Sequence, residues 1–350
     1  MVWLILTIIF IAKFPSEELY RARTRAVLLS LFCMEMFRYY YDFQKVAILE
    51  RLGKISILSY AMVSVYTIIM LFRDPALLRL SARQGIFVRS LGVGGYGSLY
   101  GSIFIIIGMT YIIGSSQYRF SSRLQSIFLM AIFCLQLWLG KFTIAYLLTL
   151  LGIGIMIIMN FNKKRKWLVL IPIGIGFILV LFATRPGIFV QNISNRISDN
   201  SVSERVSDLS SLLSGDASGR ILSNRAEIYL GDIRTFLRYP YIGTLPTRIM
   251  GRRVMDESSG HSSIFTLLAE FGILFSLCFA QYMVSIYHKA ILIWRKDKYR
   301  NIIMLIGLLY IILSSINSTF NAHQITFVIY MITPILPKIF KKRAAGIQAY

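Results

Sequence analysis

The chain has 350 residues, of which 56% are hydrophobic and 15% are charged, with 38 basic side chains against 16 acidic ones. A soluble domain carries about 25% charged residues, so this composition excludes an ordinary water-soluble protein. The net charge of +22 would suit a nucleic-acid-binding protein, but apolar runs of roughly 15 to 20 residues, about the length that spans a bilayer, recur along the chain. We therefore predict an all-α polytopic membrane protein with its charge in the loops and no nucleic-acid partner.

Ten apolar runs predict ten transmembrane helices. They are residues 2–14, 26–41, 55–72, 98–114, 124–138, 142–159, 167–183, 263–286, 301–317 and 324–338. Basic residues at 163–166, 289–300 and 341–343 assign these segments to the cytoplasm under the positive-inside rule. Segments 73–97 and 185–261 then lie outside the cytoplasm.

An arrangement with nine spans stays open as an alternative. Ten spans put Lys13, Arg21, Arg23 and Arg25 outside, against the positive-inside rule. With nine spans, residues 26–42 instead form an amphipathic helix at the cytoplasmic membrane surface, because three charged residues interrupt this segment.

The spans divide the chain into three parts. Residues 1–184 hold the N-terminal transmembrane helices and the outer loop 73–97, residues 185–261 form a large arginine-rich extracytoplasmic loop, and residues 262–350 hold the C-terminal helices and a basic cytoplasmic tail. The loop is rich in Ser, Asp, Asn and Gly, and the apolar spacing from Ile221 to Leu237 predicts an amphipathic helix within it.

Two further patterns are interpreted as structural. Cys33, Cys134 and Cys278 lie in apolar runs without paired spacing, which predicts small core residues and neither a zinc site nor a disulfide framework. The glycine-rich stretch from Gly92 to Gly97 follows no strand and is interpreted as a flexible turn before a span, not as a phosphate-binding loop.

Arginine is the only basic residue in the two outer segments. Segment 185–261 contains ten arginines, eight acids and no lysine, and segment 73–97 contains four arginines and one acid. Both basic residue types set topology, but only arginine offers a planar fork that holds a phosphate or carboxylate at two points. We therefore predict an anionic ligand at the outer face, most simply a lipid-linked phosphate or diphosphate. The alternative is that these arginines pair with the nearby acids or with lipid headgroups.

Of the three histidines, His261 stands where the arginine-rich loop meets a span. An imidazole titrates near neutral pH and can take a proton from a hydroxyl. The alternative is an ordinary helix start with Ser262 or Ser263 as its cap. His288 and His323 lie near span ends and are interpreted as interfacial polar residues. No metal-ligand cluster and no P-loop motif accompanies His261, so neither a metal ion nor ATP-driven transport is predicted.

Three motifs follow one another in the C-terminal half. They are Arg225-Ala-Glu-Ile-Tyr229, then Tyr239-Pro240-Tyr-Ile-Gly243, then a stretch that begins at His261 and continues through Glu270-Phe-Gly272-Ile273. In this order they resemble the O-antigen polymerase and O-antigen ligase superfamily of bacterial envelopes. The chain departs from the family pattern at Tyr229, where tryptophan is usual, at Leu245, which replaces a glycine, at Ser262, often asparagine, and at Lys141, where many members have a Ser-Arg pair.

The resemblance implies an integral-membrane glycosyltransferase of the bacterial cytoplasmic membrane, with an outward-facing site. Its substrate would be an undecaprenyl-diphosphate-linked oligosaccharide, and it would need no nucleotide sugar, metal or other cofactor. By the same resemblance His261 would be the catalytic base, and Arg225 with Arg220 would hold the donor diphosphate. The remaining predicted contacts to diphosphate or glycan are Arg185, Arg89, Lys141 and Arg248.

Three functions are compatible with these motifs. We favour a polymerase that joins lipid-linked repeat units of O-antigen or capsular polysaccharide, with membrane lipid, a chain-length regulator and a flippase as expected partners. A ligase would transfer the finished glycan to lipid A core or to protein. A non-enzymatic flippase or exporter would place charged residues within spans along a path, whereas here the arginines concentrate in outer loops.

Overall fold

The computed structural model describes residues 18–74, 77–78, 92–140, 142–160, 220–244, 262–319 and 322–340. Every regular element in these ranges is helical, which confirms the predicted all-α class. The helices are α1 (Glu18–Asp42), α2 (Val46–Arg73), α3 (Tyr96–Gly114), α4 (Phe120–Gly140), α5 (Thr143–Asn160), α6 (Arg220–Arg238), α7 (Ser263–Ile293), α8 (Tyr299–Ile316), α9 (His323–Phe327) and α10 (Leu336–Phe340). A π-helical turn, Val328–Ile332, and a 3-10 turn, Thr333–Ile335, join α9 to α10.

The chain divides into two units, which we call the bundle unit (Met1–Asn160 and Leu277–Tyr350) and the loop unit (Phe161–Ser276). Five described helices, α2, α3, α4, α7 and α8, are long and apolar enough to cross a membrane. The chain is therefore a helical membrane protein, as predicted. The predicted spans 2–14 and 167–183 lie outside the described residues, and the total of ten spans stays a prediction.

Helix α3 lies at the centre of the bundle unit. It packs against α4, α5, α8 and α9, and 83% of its apolar window is buried, against 28% for α4. The exposed side chains of α4 are large and apolar, including Phe120, Phe128 and Trp138. Ile55, Leu58 and Met62 expose a similar apolar stripe on α2. Such faces suit contact with lipid tails, so α3 is a protein-enclosed span, whereas α2 and α4 contribute to the lipid-facing surface.

Helix α1 crosses the bundle unit lengthwise. Near its middle, the Ser30 hydroxyl donates to Thr326 Oγ1 at 3.3 Å, and at its C-terminal end Lys289 Nζ donates to Asp42 Oδ1 at 2.5 Å. Twelve residues of helix span about 18 Å. Thr326 lies near the start of the segment from His323 to Phe340, whereas Lys289 lies near the C-terminal end of α7. Helix α1 is not one of the described helices that are long and apolar enough to cross a membrane. The span 26–41 and its alternative, an interfacial helix at residues 26–42, therefore both stay predictions.

The last predicted span, 324–338, is wrong as a continuous α-helix. The backbone widens into the π-helical turn and then tightens into the 3-10 turn that contains Pro334. Proline has no N–H and its ring clashes with the carbonyl one turn earlier, so a regular helix cannot continue here. Carbonyls in this region accept bonds from side chains instead: Trp294 Nε1 donates to Pro334 O at 2.6 Å and the Tyr299 hydroxyl to Thr333 O at 2.8 Å.

Two smaller predictions have different outcomes. Cys33 is buried as expected, but Cys134 and Cys278 are exposed, so the core interpretation is wrong for these two residues. They lie on helices whose outer faces are apolar, where a small thiol is compatible with lipid contact. The glycine-rich stretch does form a turn, with Gly92 at φ 69° and α3 beginning at Tyr96.

The connections of the bundle unit gather at two ends. At one end, which we call the basic end, lie the turns 43–45, 115–119 and 294–298 and the end of α10. Here the Tyr111 hydroxyl donates to Asp297 Oδ1 at 2.8 Å, and the Ser122 hydroxyl donates to Phe340 O at 2.8 Å. At the opposite end, the Gly94 N–H donates to Thr67 Oγ1 at 2.8 Å. The positive-inside rule predicts that the basic end faces the cytoplasm.

The contact between α1 and α9 predicts that an engineered disulfide can join these two helices. In a variant with the three native cysteines replaced by alanine, Ser30→Cys combined with Thr326→Cys should cross-link on oxidation, since the two native side-chain oxygens are 3.3 Å apart. Mass spectrometry of the linked peptides measures the yield. The matched control is Tyr39→Cys with Thr326→Cys, because Tyr39 is exposed and lies on the other face of α1. Equal yields from the two pairs would contradict the described packing.

Candidate functional site

Helix α6 packs beside the first part of α7 within the loop unit. The rings of Tyr229 and Phe265 lie 5.8 Å apart, and the Thr266 hydroxyl donates to Asp232 Oδ2 at 3.2 Å. Asp232 is fully buried, although it belongs to a helix that also carries the exposed Arg234. A buried carboxylate is costly unless it is hydrogen-bonded, so the bond from Thr266 helps to hold the two helices in this register.

Beyond α6, residues 239–244 lie against residues 269–274, and we call this contact the backbone joint. Three main-chain hydrogen bonds connect the segments: Thr244 N to Ala269 O at 3.1 Å, Ile273 N to Pro240 O at 2.7 Å, and Leu274 N to Tyr241 O at 3.3 Å. The joint thus brings together the Tyr-Pro-Tyr-Ile-Gly and Glu-Phe-Gly-Ile motifs that are separated by a long stretch of sequence.

Two glycines make the backbone joint possible. Gly243 has φ 70° and Gly272 has φ 68° with ψ 179°, and the latter is a conformation open essentially to glycine alone. A Cβ on Gly243 would overlap the Glu270 main chain, and one on Gly272 would come within 2.5 Å of Ile242 N. The predicted span 263–286 is confirmed as part of an apolar helix long enough to cross a membrane. Its α-helical geometry is interrupted at Gly272, where the two backbones approach.

The start of α7 follows directly after His261 in sequence. Ser262 is buried, and its Oγ accepts a hydrogen bond from Phe265 N at 3.3 Å, which confirms the predicted capping of this helix start. Within the motif that begins at His261, Ser262 therefore caps the start of α7. His261 itself lies outside the described residues, and its catalytic assignment stays a prediction.

The other predicted site residues divide into two groups. The main chains of Arg220 and Arg225 belong to α6, which confirms the predicted helix in this part of the loop, while their side chains lie outside the described set. The remaining residues lie wholly outside the described ranges: Arg185, Arg89, Lys141 and Arg248. The structure therefore describes the framework of the candidate site, which consists of α6, the backbone joint and the start of α7.

Sequence reasoning missed the structural importance of two acids in this framework. The sequence suggests Asp232 only as a possible ion-pair partner for arginine, and Glu270 only as part of a motif. In the structure both side chains are buried. The available signal was spacing, because Asp232 lies three residues after Tyr229 and shares its helix face. By contrast Arg234 and Arg238 on α6 are exposed and form no salt bridge with any described residue. The described acids therefore do not pair with these two arginines.

The remaining histidines lie at the expected positions. His288 is on the last part of α7, in the bundle unit, and His323 is the first residue of α9. Among the described residues, no group of three His, Cys, Asp or Glu side chains is arranged to hold a metal ion.

Comparison of the chain with models of known protein families gives no match, and comparison with curated proteins gives none either. The family resemblance therefore depends on the three sequence motifs alone.

The geometry of the backbone joint predicts that its glycines cannot be replaced. Gly243→Ala and Gly272→Ala should each cost about 1–3 kcal/mol from backbone strain alone, and the overlap of the new Cβ adds to this. The measurement is the thermal unfolding midpoint in detergent together with the amount of protein in membranes. The matched control is Gly154→Ala on α5, where a Cβ meets nothing within 4 Å and alanine favours the helix. If Gly272→Ala unfolded at the same temperature as this control, the described joint would be wrong.

Proposed function

We propose that this chain is an integral-membrane glycosyltransferase that polymerises undecaprenyl-diphosphate-linked oligosaccharide repeat units of O-antigen or capsular polysaccharide. It would act at the outer face of the bacterial cytoplasmic membrane, without a metal ion and with inversion at the anomeric carbon. The donor is a lipid diphosphate, and the acceptor is a sugar hydroxyl of a second lipid-linked unit.

One observation carries the proposal, namely the parallel pairing of α6 with the start of α7. From Tyr229 through Asp232 to Pro240, the residue numbers of the contacted partners also increase. The order reverses only later in the turn, where Thr244 N donates to Ala269 O. Their partners in the same order are Phe265, Thr266 and Ile273. The two segments therefore run in the same direction from a common starting end.

Both principal predicted site residues precede these contacts in sequence. Arg225 precedes Tyr229 by one helical turn on α6, and His261 precedes Phe265 by four residues in sequence. Tyr229 contacts Phe265. Arg225 and His261 each precede their member of this aromatic pair by four residues. The proposal is that these two side chains face one substrate.

The chemistry assigned to the pair balances without a metal. The His261 imidazole takes the proton of the acceptor hydroxyl, and the hydroxyl oxygen forms a bond to the anomeric carbon of the donor. The bond from that carbon to the diphosphate oxygen breaks on the opposite face, so the configuration inverts. The lipid diphosphate leaves as an anion, and the fixed guanidiniums of Arg225 and Arg220 stabilise its charge through paired hydrogen bonds.

The two other functions differ in how they would be recognised. A ligase uses the same bond chemistry with lipid A core or protein as acceptor, so only the product distinguishes it from a polymerase. An exporter needs charged groups along a path through the membrane. In the described part of the bundle unit, the buried polar side chains are Ser, Thr and Gln, which provides no observation in favour of an exporter.

The first test of the proposal is Arg225→Lys, assayed in a host whose own copy of the gene is deleted. The variant keeps the charge but should lose most polymer, because an ammonium cannot make the paired contacts of a guanidinium to a diphosphate. The matched control is Arg234→Lys, an exposed arginine nine residues further along α6 and therefore on the opposite face. The readout is the ladder of surface polysaccharide on a gel, with membrane abundance checked by blot. Equal ladders from the two variants would contradict the proposed paired contacts of Arg225 to the diphosphate.

The second test is His261→Ala in the same assay. Loss of a positioned base typically costs about 100- to 10,000-fold in rate, so long chains should disappear while the protein still accumulates in the membrane. His288→Ala and His323→Ala should leave chain length nearly unchanged. A normal ladder from His261→Ala would remove the base from the mechanism. Accumulation of finished polymer on its lipid carrier, without transfer to lipid A core, would instead identify a ligase.

A further inference from the structure

A cavity of about 550 Å³ opens at the basic end of the bundle unit. It lies between the first turns of α2, the start of α4 and the end of α10, three elements that are far apart in sequence. Its charged lining consists of four basic residues and one acid: Arg51, Lys54, Arg119, Lys338 and Glu50. Ser122 and Gln125 add hydrogen-bonding groups. The lining therefore carries an excess of positive charge with polar groups interspersed.

Three of the four basic residues of the cavity have no ion-pair partner within the described part of the chain. Arg51, Lys54 and Arg119 form no salt bridge with any described residue. Lys338 is held in place, since its Nζ lies 5.9 Å from the centre of the Trp294 ring. Cations gathered on the wall of one cavity repel one another, and an anion bound among them would relieve that repulsion.

The walls of the cavity are fixed by packing. The Ser122 hydroxyl donates to Phe340 O at 2.8 Å and ties the start of α4 to the end of α10. On the other side, Gly53 lets α2 approach α10 so closely that a Cβ would lie 3.0 Å from Ile339 Cδ1. The basic side chains are thus presented by three elements that are already joined, so binding would not require their assembly.

The cavity also adjoins the lipid-facing surface. Lys54 is followed directly by Ile55, which is 62% exposed, and Arg119 is followed directly by Phe120, which is 80% exposed. Both begin the apolar outer faces of membrane-spanning helices. Basic pockets between transmembrane helices at the cytoplasmic side are known to bind anionic lipid headgroups.

We propose that this cavity binds a phosphate group, supplied either by the headgroup of an anionic phospholipid or by a soluble phosphate. All of its lining residues belong to the bundle unit, and the proposal does not rest on the proposed glycosyltransferase function. Arg51, Lys54, Arg119 and Lys338 donate charge-assisted hydrogen bonds to the phosphate oxygens. When the phosphate belongs to a lipid, its acyl chains lie along the exposed faces of α2 and α4.

The test uses the full-length protein in detergent, titrated separately with phosphatidylglycerol, phosphatidylcholine and inorganic phosphate. A ligand that binds only the folded protein raises the thermal unfolding midpoint, and the half-maximal concentration of that rise reports affinity. Lys54→Gln with Arg119→Gln should weaken the response about tenfold, because each loses a hydrogen bond to a charged group. The matched control is Lys296→Gln with Arg300→Gln, which removes the same charge at the same end without touching the cavity lining.

A response to phosphatidylglycerol that exceeds the response to phosphatidylcholine and depends on the cavity pair identifies a lipid headgroup. A response to inorganic phosphate of equal size, also dependent on the cavity pair, identifies a soluble anion. The proposal is overturned if neither phosphatidylglycerol nor inorganic phosphate raises the unfolding midpoint. It is also overturned if the double variant of the cavity and the double variant of the control respond alike. Should the double variant fail to accumulate, Ser121→Glu places a negative charge at an exposed position of the lining, and an unchanged response there overturns the proposal equally.

Discussion

Close approach of helices without a hydrophobic driving force is the constraint on which the bundle unit depends. Lipid tails are as apolar as leucine, so helices in a membrane gain from tight packing and internal hydrogen bonds instead. Gly101 accordingly faces Tyr60, and Gly152 faces Ile107, at distances that leave no room for a Cβ. Between α3 and α4, Gln136 Nε2 donates to Ser98 Oγ at 3.3 Å, and the Ser102 hydroxyl donates to the Gln136 carbonyl oxygen at 3.2 Å. Small residues and satisfied polar groups thus determine which helices are neighbours.

The loop unit depends on a different interaction, which fixes the start of α7. This helix begins two residues after the candidate catalytic residue His261 in sequence. The interaction is main-chain pairing at the backbone joint, reinforced by the buried carboxylate of Asp232. Main-chain hydrogen bonds do not depend on side-chain rotamers, so the register between α6 and α7 is set with little freedom. The proposed site, which would hold a diphosphate and a hydroxyl in line, would benefit from such a rigid support.

The helical class and the five described helices of membrane-spanning length were predictable because apolar runs of bilayer length are a strong signal. Helix α4, Phe120–Gly140, for example, encloses the predicted span 124–138. The interruptions were not predictable, because Gly272 and Pro334 stand inside apolar runs and hydropathy carries no information about φ and ψ. The exposure of Cys134 was missed for a related reason, since apolar character does not distinguish a lipid-facing position from a core position. For the site, the sequence motifs indicated Gly243 and Glu270, but their contact across the joint required the fold.

The contrast between the enclosed α3 and the lipid-facing α4 has a consequence for how chains of this kind diverge. Lipid requires only that an outward side chain be apolar, so Phe128 or Trp138 can be exchanged for many residues with little effect on packing. At Gly101 of α3, in contrast, even one added methyl group would collide with Tyr60. Substitutions should therefore accumulate quickly over the outer surface while the architecture persists. A comparison weighted toward α3 and the backbone joint would detect distant relatives that whole-chain similarity overlooks.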